Sequence, residues 1–290
     1  MTVLSIAQTC ASRLQITSPS ALVGSTDTSL ILLKAMIEQT AQELRNQFPW
    51  PELQKEYTFT LSTSTASYAF PDDYDRQLNE TLWNRTQHWP LIGPVDPIQW
   101  QNYKSGLITT LPRQRFRVKG WASTQFFIDP TPTSSENGQT LVYEYIIRTV
   151  FRPKTWVTST AFAANSYCSY NGNIYKTTAG GTTGATPPTH TTGSASDGTV
   201  TWTYQSGYFE TITADTDECI LDNQIIIDGA VWRYKREKGL DYQEFRADAE
   251  NQIEIAKTKL QGAGELYING RYRLPTMIGP WSYPEGNYGI

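Results

Sequence analysis

Residues 113 to 119 read Arg-Gln-Arg-Phe-Arg-Val-Lys, and a strand would place Arg113, Arg115, Arg117 and Lys119 on one face with Phe116 and Val118 on the other. Four aligned cations can hold nucleic-acid phosphates or the carboxylates of a neighbouring protein. The same alternation also keeps a solvent-facing strand edge soluble. A second set is aromatic. Trp156, Tyr175, Trp202 and Tyr204 offer flat faces that match the apolar faces of pyranose rings, and in a small module the same side chains serve as core. The means for bond-breaking chemistry are sparse. There are two histidines, His88 and His190, and three widely separated cysteines, Cys10, Cys168 and Cys219, which make neither a zinc pattern nor a disulfide framework. Asp72, Asp73 and Asp75 lack the glycine and distal glutamate of a calcium loop, and no nucleophile-elbow sequence occurs. The expectation is a non-enzymatic chain with no catalytic residues, no metal and no cofactor, made in a reducing compartment.

Composition agrees with a binding or structural role. The 290 residues carry a formal net charge of −4 and 18% charged side chains, which argues against coating nucleic acid by bulk electrostatics. Met1 to Leu14 lacks the basic start and unbroken apolar stretch of a secretory signal and reads as a short amphipathic helix. No apolar run approaches the length of a membrane span, so no membrane partner is expected.

The elements that must position these residues begin and end alike. Leu30, Leu33, Ile37, Ala41, Leu44 and Phe48 step by 3, 4, 4, 3 and 4, and so do Tyr242, Phe245, Ala249, Ile253, Ala256 and Leu260. Each set lies on one face of an α-helix, and the two stripes are expected to meet in one bundle. Between them, Tyr57, Phe59 and Leu61 alternate with polar residues, as do Leu141, Tyr143, Tyr145 and Ile147, which predicts strands. Asp96-Pro97 introduces a short helix over Ile98 to Lys104. From Lys154 to Ser206 the composition changes to Thr, Gly, Ser and aromatics with one acidic residue, Asp197, and Asn171-Gly172 marks a hairpin. Glu218 to Lys238 reads as a helix, although Ile225-Ile226-Ile227 also suits a strand. The predicted fold class is α+β: a helical bundle of about four helices with a β-rich extension, an inserted small all-β module and an extended C-terminal arm. Residues 1–153 and 209–262 would form a discontinuous core, 154–208 the module, and 263–290 the arm.

The order of several stretches resembles the head-to-tail adaptor, or tail tubular protein A, family of short-tailed bacteriophages. These are FPDDYDRQLNETLW, PIQWQNYKSG, RFRVKG followed by FFIDPTP, LVYEYIIRT, and ECILDNQIIIDGAVWRYKREKGLDYQEF. The resemblance implies a structural virion protein, synthesised in the bacterial cytoplasm and placed at the head–tail junction. Its partners would be other copies in a ring of about twelve, a portal above, a tail nozzle below, and double-stranded DNA passing without sequence-specific contact. The arm residues Leu266, Tyr267, Tyr272, Leu274, Met277, Trp281, Tyr283 and Tyr288 would dock on the portal. NGNIYKTTAGGTTGATPPTHTTGSASDGTVTWTY in the insert resembles small carbohydrate-binding-like modules of phage tail proteins. It carries the alternative reading, a carbohydrate-binding tail or baseplate protein. A capsid-stabilising decoration protein is a third possibility.

Overall fold

Helix α1 (Val3–Leu14) starts where the Thr2 hydroxyl accepts the Ser5 amide at 3.3 Å and ends at Gln15, whose left-handed backbone returns its N–H to the last turn. Helix α2 (Thr28–Gln47) is capped by Asp27, which accepts the Ser29 amide at 2.8 Å. Beyond its end the Trp50 indole donates to the Leu44 carbonyl at 2.7 Å, satisfying one acceptor left open by the helix terminus. A third helix, α3 (Pro97–Ser105), follows Asp96, and two more close the described chain: α4 (Asn223–Glu237), capped by Asp222, and α5 (Gln243–Gln261). This is a computed structural model, and it describes residues 1–105, 114–120, 125–205 and 208–261.

The chain divides into two compact units. One joins Met1–Leu53 to the described residues from Ile147 onward, and the other holds Gln54–Ile146. In the first, α4 is the hub against which α1, α2 and α5 pack. Ile225, Ile226, Ile227, Ala230, Val231 and Tyr234 are buried around its circumference, because neighbours cover it on several sides. That explains why its sequence shows no clean helical period. The α2–α4 contact is close: a β-carbon on Gly229 would lie 2.3 Å from Thr40 Cγ2. Beside it the buried Arg233 donates to Thr40 Oγ1 at 3.2 Å and to the Gly229 carbonyl at 2.9 Å, and pairs with Glu43.

The same unit carries the small β module. Strands Tyr167–Tyr170, Asn173–Thr177, Val200–Gln205 and Ser194–Asp197 form an antiparallel sheet in that order, and Ala161–Phe162 pairs with Gly181–Thr182. Asn171 and Gly172 both have positive φ, 48° and 77°, the geometry of the two-residue hairpin turn. The chain enters and leaves the module at one place. Val150 N donates to the Phe209 carbonyl at 3.3 Å, and Phe151–Arg152 pairs with Glu218–Cys219.

In the second unit, Gln54–Thr60 pairs with Thr140–Ile147 so that Tyr57 faces Tyr143 and Phe59 faces Leu141. A second sheet is built from Ser67–Ala69, Gln125–Asp129 and Arg115–Lys119. The two sheets meet through rings, with Phe59 edge-on to Phe126 at 5.6 Å and Tyr143 at 6.3 Å from Phe126.

Three expectations are corrected. The bundle of about four helices with a β-rich extension does not describe this fold. The described residues hold five α-helices and sixteen strands in five sheets, and the strands of 54–146 form a unit with their own aromatic core and α3 within it. Helix α4 begins at Asn223, because Glu218–Cys219 is taken up as a strand against Phe151–Arg152. The α2 and α5 stripes also do not make one shared core. Leu33, Ile37, Ala41 and Leu44 are buried in the α2–α4 layer, whereas Ala249 alone is buried in α5.

Candidate functional site

The aromatic candidates of the module separate into two kinds. Trp202 and Tyr175 are fully buried beside Phe162, Cys168 and Val200, so they are core. Tyr204 is half-buried and packs edge-on to Tyr175 at 6.1 Å. Trp156 is also half-buried, and its indole N–H donates to Asp197 Oδ2 at 2.7 Å. Trp202 donates to the same oxygen at 3.3 Å, while Asp197 Oδ1 accepts the Gly184 amide at 2.7 Å. Asp197 is 6% exposed. One carboxylate thus fixes two tryptophans and a loop, which is how so small a core tolerates a buried charge. The sequence signal was its being the sole acidic residue of the segment. Tyr170 is a further surface aromatic that the sequence reasoning did not single out. It stands edge-on to Trp156 at 5.8 Å, immediately before the Asn171-Gly172 turn. A half-buried Trp–Tyr corner held by a buried anion can present one face to a flat, partly apolar ligand.

The basic strip is not brought together as expected. Arg113 lies outside the described residues. Arg115 is 0% exposed: its Nε and Nη2 donate to Asp129 Oδ2 at 2.6 and 2.5 Å, and its guanidinium lies 3.8 Å from the centre of the Tyr103 ring. Lys104 of α3 takes the other Asp129 oxygen. Alternation does put Arg115, Arg117 and Lys119 on one side of the strand, but α3 covers that side at Arg115. Arg117 is half-buried, and Lys119 is exposed with its amine 4.2 Å from the Phe127 ring. Arg115 therefore serves the interior of its unit, and no surface strip of four cations forms.

On the opposite face of the Gln54–Thr60 sheet lies an open groove of about 530 Å³ lined by Glu56, Glu80, Trp83, Arg85, His88 and Glu144. Glu56 and Glu144 face each other across the strand pair, and Arg85 pairs with Glu56 at 2.7 Å. Both members of that ion pair are well exposed, a setting in which such a pair contributes at most about 1 kcal/mol. Among the described residues no group of three or more His, Cys, Asp or Glu side chains is arranged to hold a metal ion. No helix among them is long and apolar enough to cross a membrane. The three cysteines are free and buried, and burial pushes each thiol up to about 12, so none is an activated nucleophile.

The last candidate surface is α5. Phe245, Ile255 and Leu260 are 39%, 46% and 39% exposed, and Leu240 in the preceding turn is 54% exposed. The eight arm residues Leu266, Tyr267, Tyr272, Leu274, Met277, Trp281, Tyr283 and Tyr288 follow directly and lie outside the described residues. No family model and no curated protein sequence matches the chain.

Proposed function

We propose that the chain is a structural virion component, an adaptor whose copies form a ring joining a portal to a tail nozzle and continuing the channel for DNA. The observation that supports this reading best is α5, a surface helix that leaves Phe245, Ile255 and Leu260 exposed and runs into an aromatic-rich segment. Apolar side chains exposed on one surface helix are a place where a neighbouring subunit can pack. The mechanism is geometric: helices supply the wall between neighbours, the C-terminal segment docks on the portal, and the strand-rich unit provides a seat for the nozzle. Deleting Leu266 to Ile290 is expected to leave a folded protein that no longer attaches to portal particles, read by co-sedimentation and electron microscopy. Undiminished attachment of the truncated chain overturns that role for the segment.

The Trp156–Tyr170 corner favours a second reading, binding of glycans through the module. Because Trp202 is core, the variant that tests it is Tyr170→Ala: loss of glycan-array binding with an unchanged melting curve supports it, and an array without signal for the native chain rejects it.

A further inference from the structure

We propose that the strand Gln54–Thr60 is an open sheet edge that takes up one extended peptide strand of a partner, apolar on one face and carrying lysine or arginine on the other. The proposal stands on the strand-rich unit alone and does not depend on the connector reading.

The free groups follow from the ladder. Gln54–Thr60 is the end strand of its sheet and pairs only with Thr140–Ile147. On the far side of Thr140–Ile147, the Thr140 carbonyl accepts the Arg85 amide at 2.9 Å and the Glu144 carbonyl accepts the Leu78 amide at 3.0 Å. Main-chain groups alternate in direction along a strand, so Leu141, Tyr143 and Tyr145 bond back to Phe59, Tyr57 and Lys55. Leu61 continues that phase, its amide donating to the Gln139 carbonyl at 2.9 Å. Glu56, Thr58 and Thr60 therefore turn their N–H and C=O groups outward, and no main-chain partner meets them among the described residues. Edges are ordinarily blunted by short strands, bulges, proline or a free lysine. This one runs seven residues without proline or glycine, and its single lysine, Lys55, is engaged by Asp73 at 2.8 Å.

The side chains state what fits. On one face Tyr57 and Phe59 are half-buried with ring centres 6.0 Å apart, so apolar residues of an added strand gain contact beside them. The other face is acidic. Glu56, Glu80 and Glu144 are exposed around the groove that Trp83 also lines. Glu56 and Glu144 stand directly opposite each other, an arrangement that costs stability unless a cation lies beside it. Arg85 answers Glu56 at 2.7 Å, and no ion pair engages Glu80 or Glu144 among the described residues. A basic side chain on the added strand, set beside Glu56, supplies the missing charge to Glu144 and brings a cation to the indole of Trp83.

Size selects one strand over a second copy. Seven residues make an edge about 23 Å long, and a strip roughly 10 Å across it offers on the order of 230 Å². A stable pair of folded copies needs about 800 Å² from each side, whereas a single strand is held chiefly by its main chain.

The test uses the full chain and synthetic peptides about eight residues long that alternate valine with lysine. Titration is expected to saturate below about 1 mM. Exchange of the Glu56, Thr58 and Thr60 amides, fast in the free chain, should slow about tenfold or more in the complex, while Tyr57 and Phe59 keep the protection they already have. Methylating the peptide nitrogens that face the edge should weaken binding about tenfold. Thr58→Pro removes an outward N–H that pairs with nothing, so the melting curve should hold while affinity falls about tenfold. Glu144→Lys should weaken the lysine peptide several-fold and admit a peptide that alternates valine with glutamate. The proposal is overturned by amides of residues 56, 58 and 60 that are already protected in the monomeric free chain, or by protection that appears only as protein concentration rises, which makes a second copy the occupant. Absence of saturation, or equal binding of a scrambled or methylated peptide, overturns it as well. Should Thr58→Pro fail to fold, the methylated peptide decides. No readout involves a portal, so the attachment assay of the truncated chain is judged separately.

Discussion

The inserted module and α5 use the same kinds of side chain to opposite ends. In the module, Trp202, Tyr175 and Phe162 face inward around one buried carboxylate, and every strand has a neighbour on the same sheet or the small ribbon beside it. In α5, Phe245, Ile255 and Leu260 lie on a helix that touches the rest of its unit mainly through α4, and Ala249 alone is buried. The module is closed on itself, whereas α5 leaves part of its apolar surface exposed. Aromatic and aliphatic content therefore does not distinguish a core from an exposed flank; the number of elements available to surround it does.

The contrast can be broken most forcefully at Asp197. Asp197→Ala leaves two indole N–H groups and the Gly184 amide without their acceptor, at an expected cost of about 3–5 kcal/mol. Exchange within 167–205 should rise to the unfolded rate while α4 keeps its protection; joint unfolding of both would show that the module is not closed. Next comes Gly229→Ala, which forces Thr40 away from α4 and should cost about 1–3 kcal/mol in chemical denaturation. Removing the clashing methyl with Thr40→Ser should recover much of that loss. On α5 the effect shrinks: Ile255→Ser is expected to cost about 1 kcal/mol or less, since the side chain is 46% exposed. A larger cost would mean that the flank is core after all.

The smallest signal sharpens the comparison through the thiols. Cys168 reports on the module, Cys10 on the helical layer and Cys219 on the strand pair at the module's base. At pH 8 none should react quickly with an aromatic disulfide reagent, and mild denaturant should release Cys168 separately from the other two. Each thiol is raised in the folded state from 9.0 to about 12, so its protonated form is favoured there. The associated stability is complete below pH 9 and drains away as pH climbs toward 12, which a melting series across that window would read.

How much of this was legible in the sequence depends on how many neighbours each element has. The α2 stripe predicted its buried face well, since α2 packs on one side. The Asn171-Gly172 turn and the alternation of Val200–Gln205 were readable because they are local. Helix α4 was readable as a helix over Glu218 to Lys238, five residues early at its start, but its burial on several sides was not, because a surrounded helix loses its period. The α5 stripe was seen, yet its periodicity could not say how little of it would be covered by the described chain. Arg115 misled for a related reason: alternation assigns a face, but only tertiary packing, here Tyr103 and Lys104 of α3, decides whether that face sees water. Asp197 was visible as a lone acid, but its role depends on Trp156 and Gly184 arriving from distant positions.

The hydrogen bond between Val150 and Phe209 has a consequence for ancestry. A segment whose two ends leave the parent backbone side by side can be acquired or discarded in a single recombination event, with no redesign of what remains. Related chains should therefore exist in plain and decorated versions, and a short loop spliced across that junction would turn one into the other.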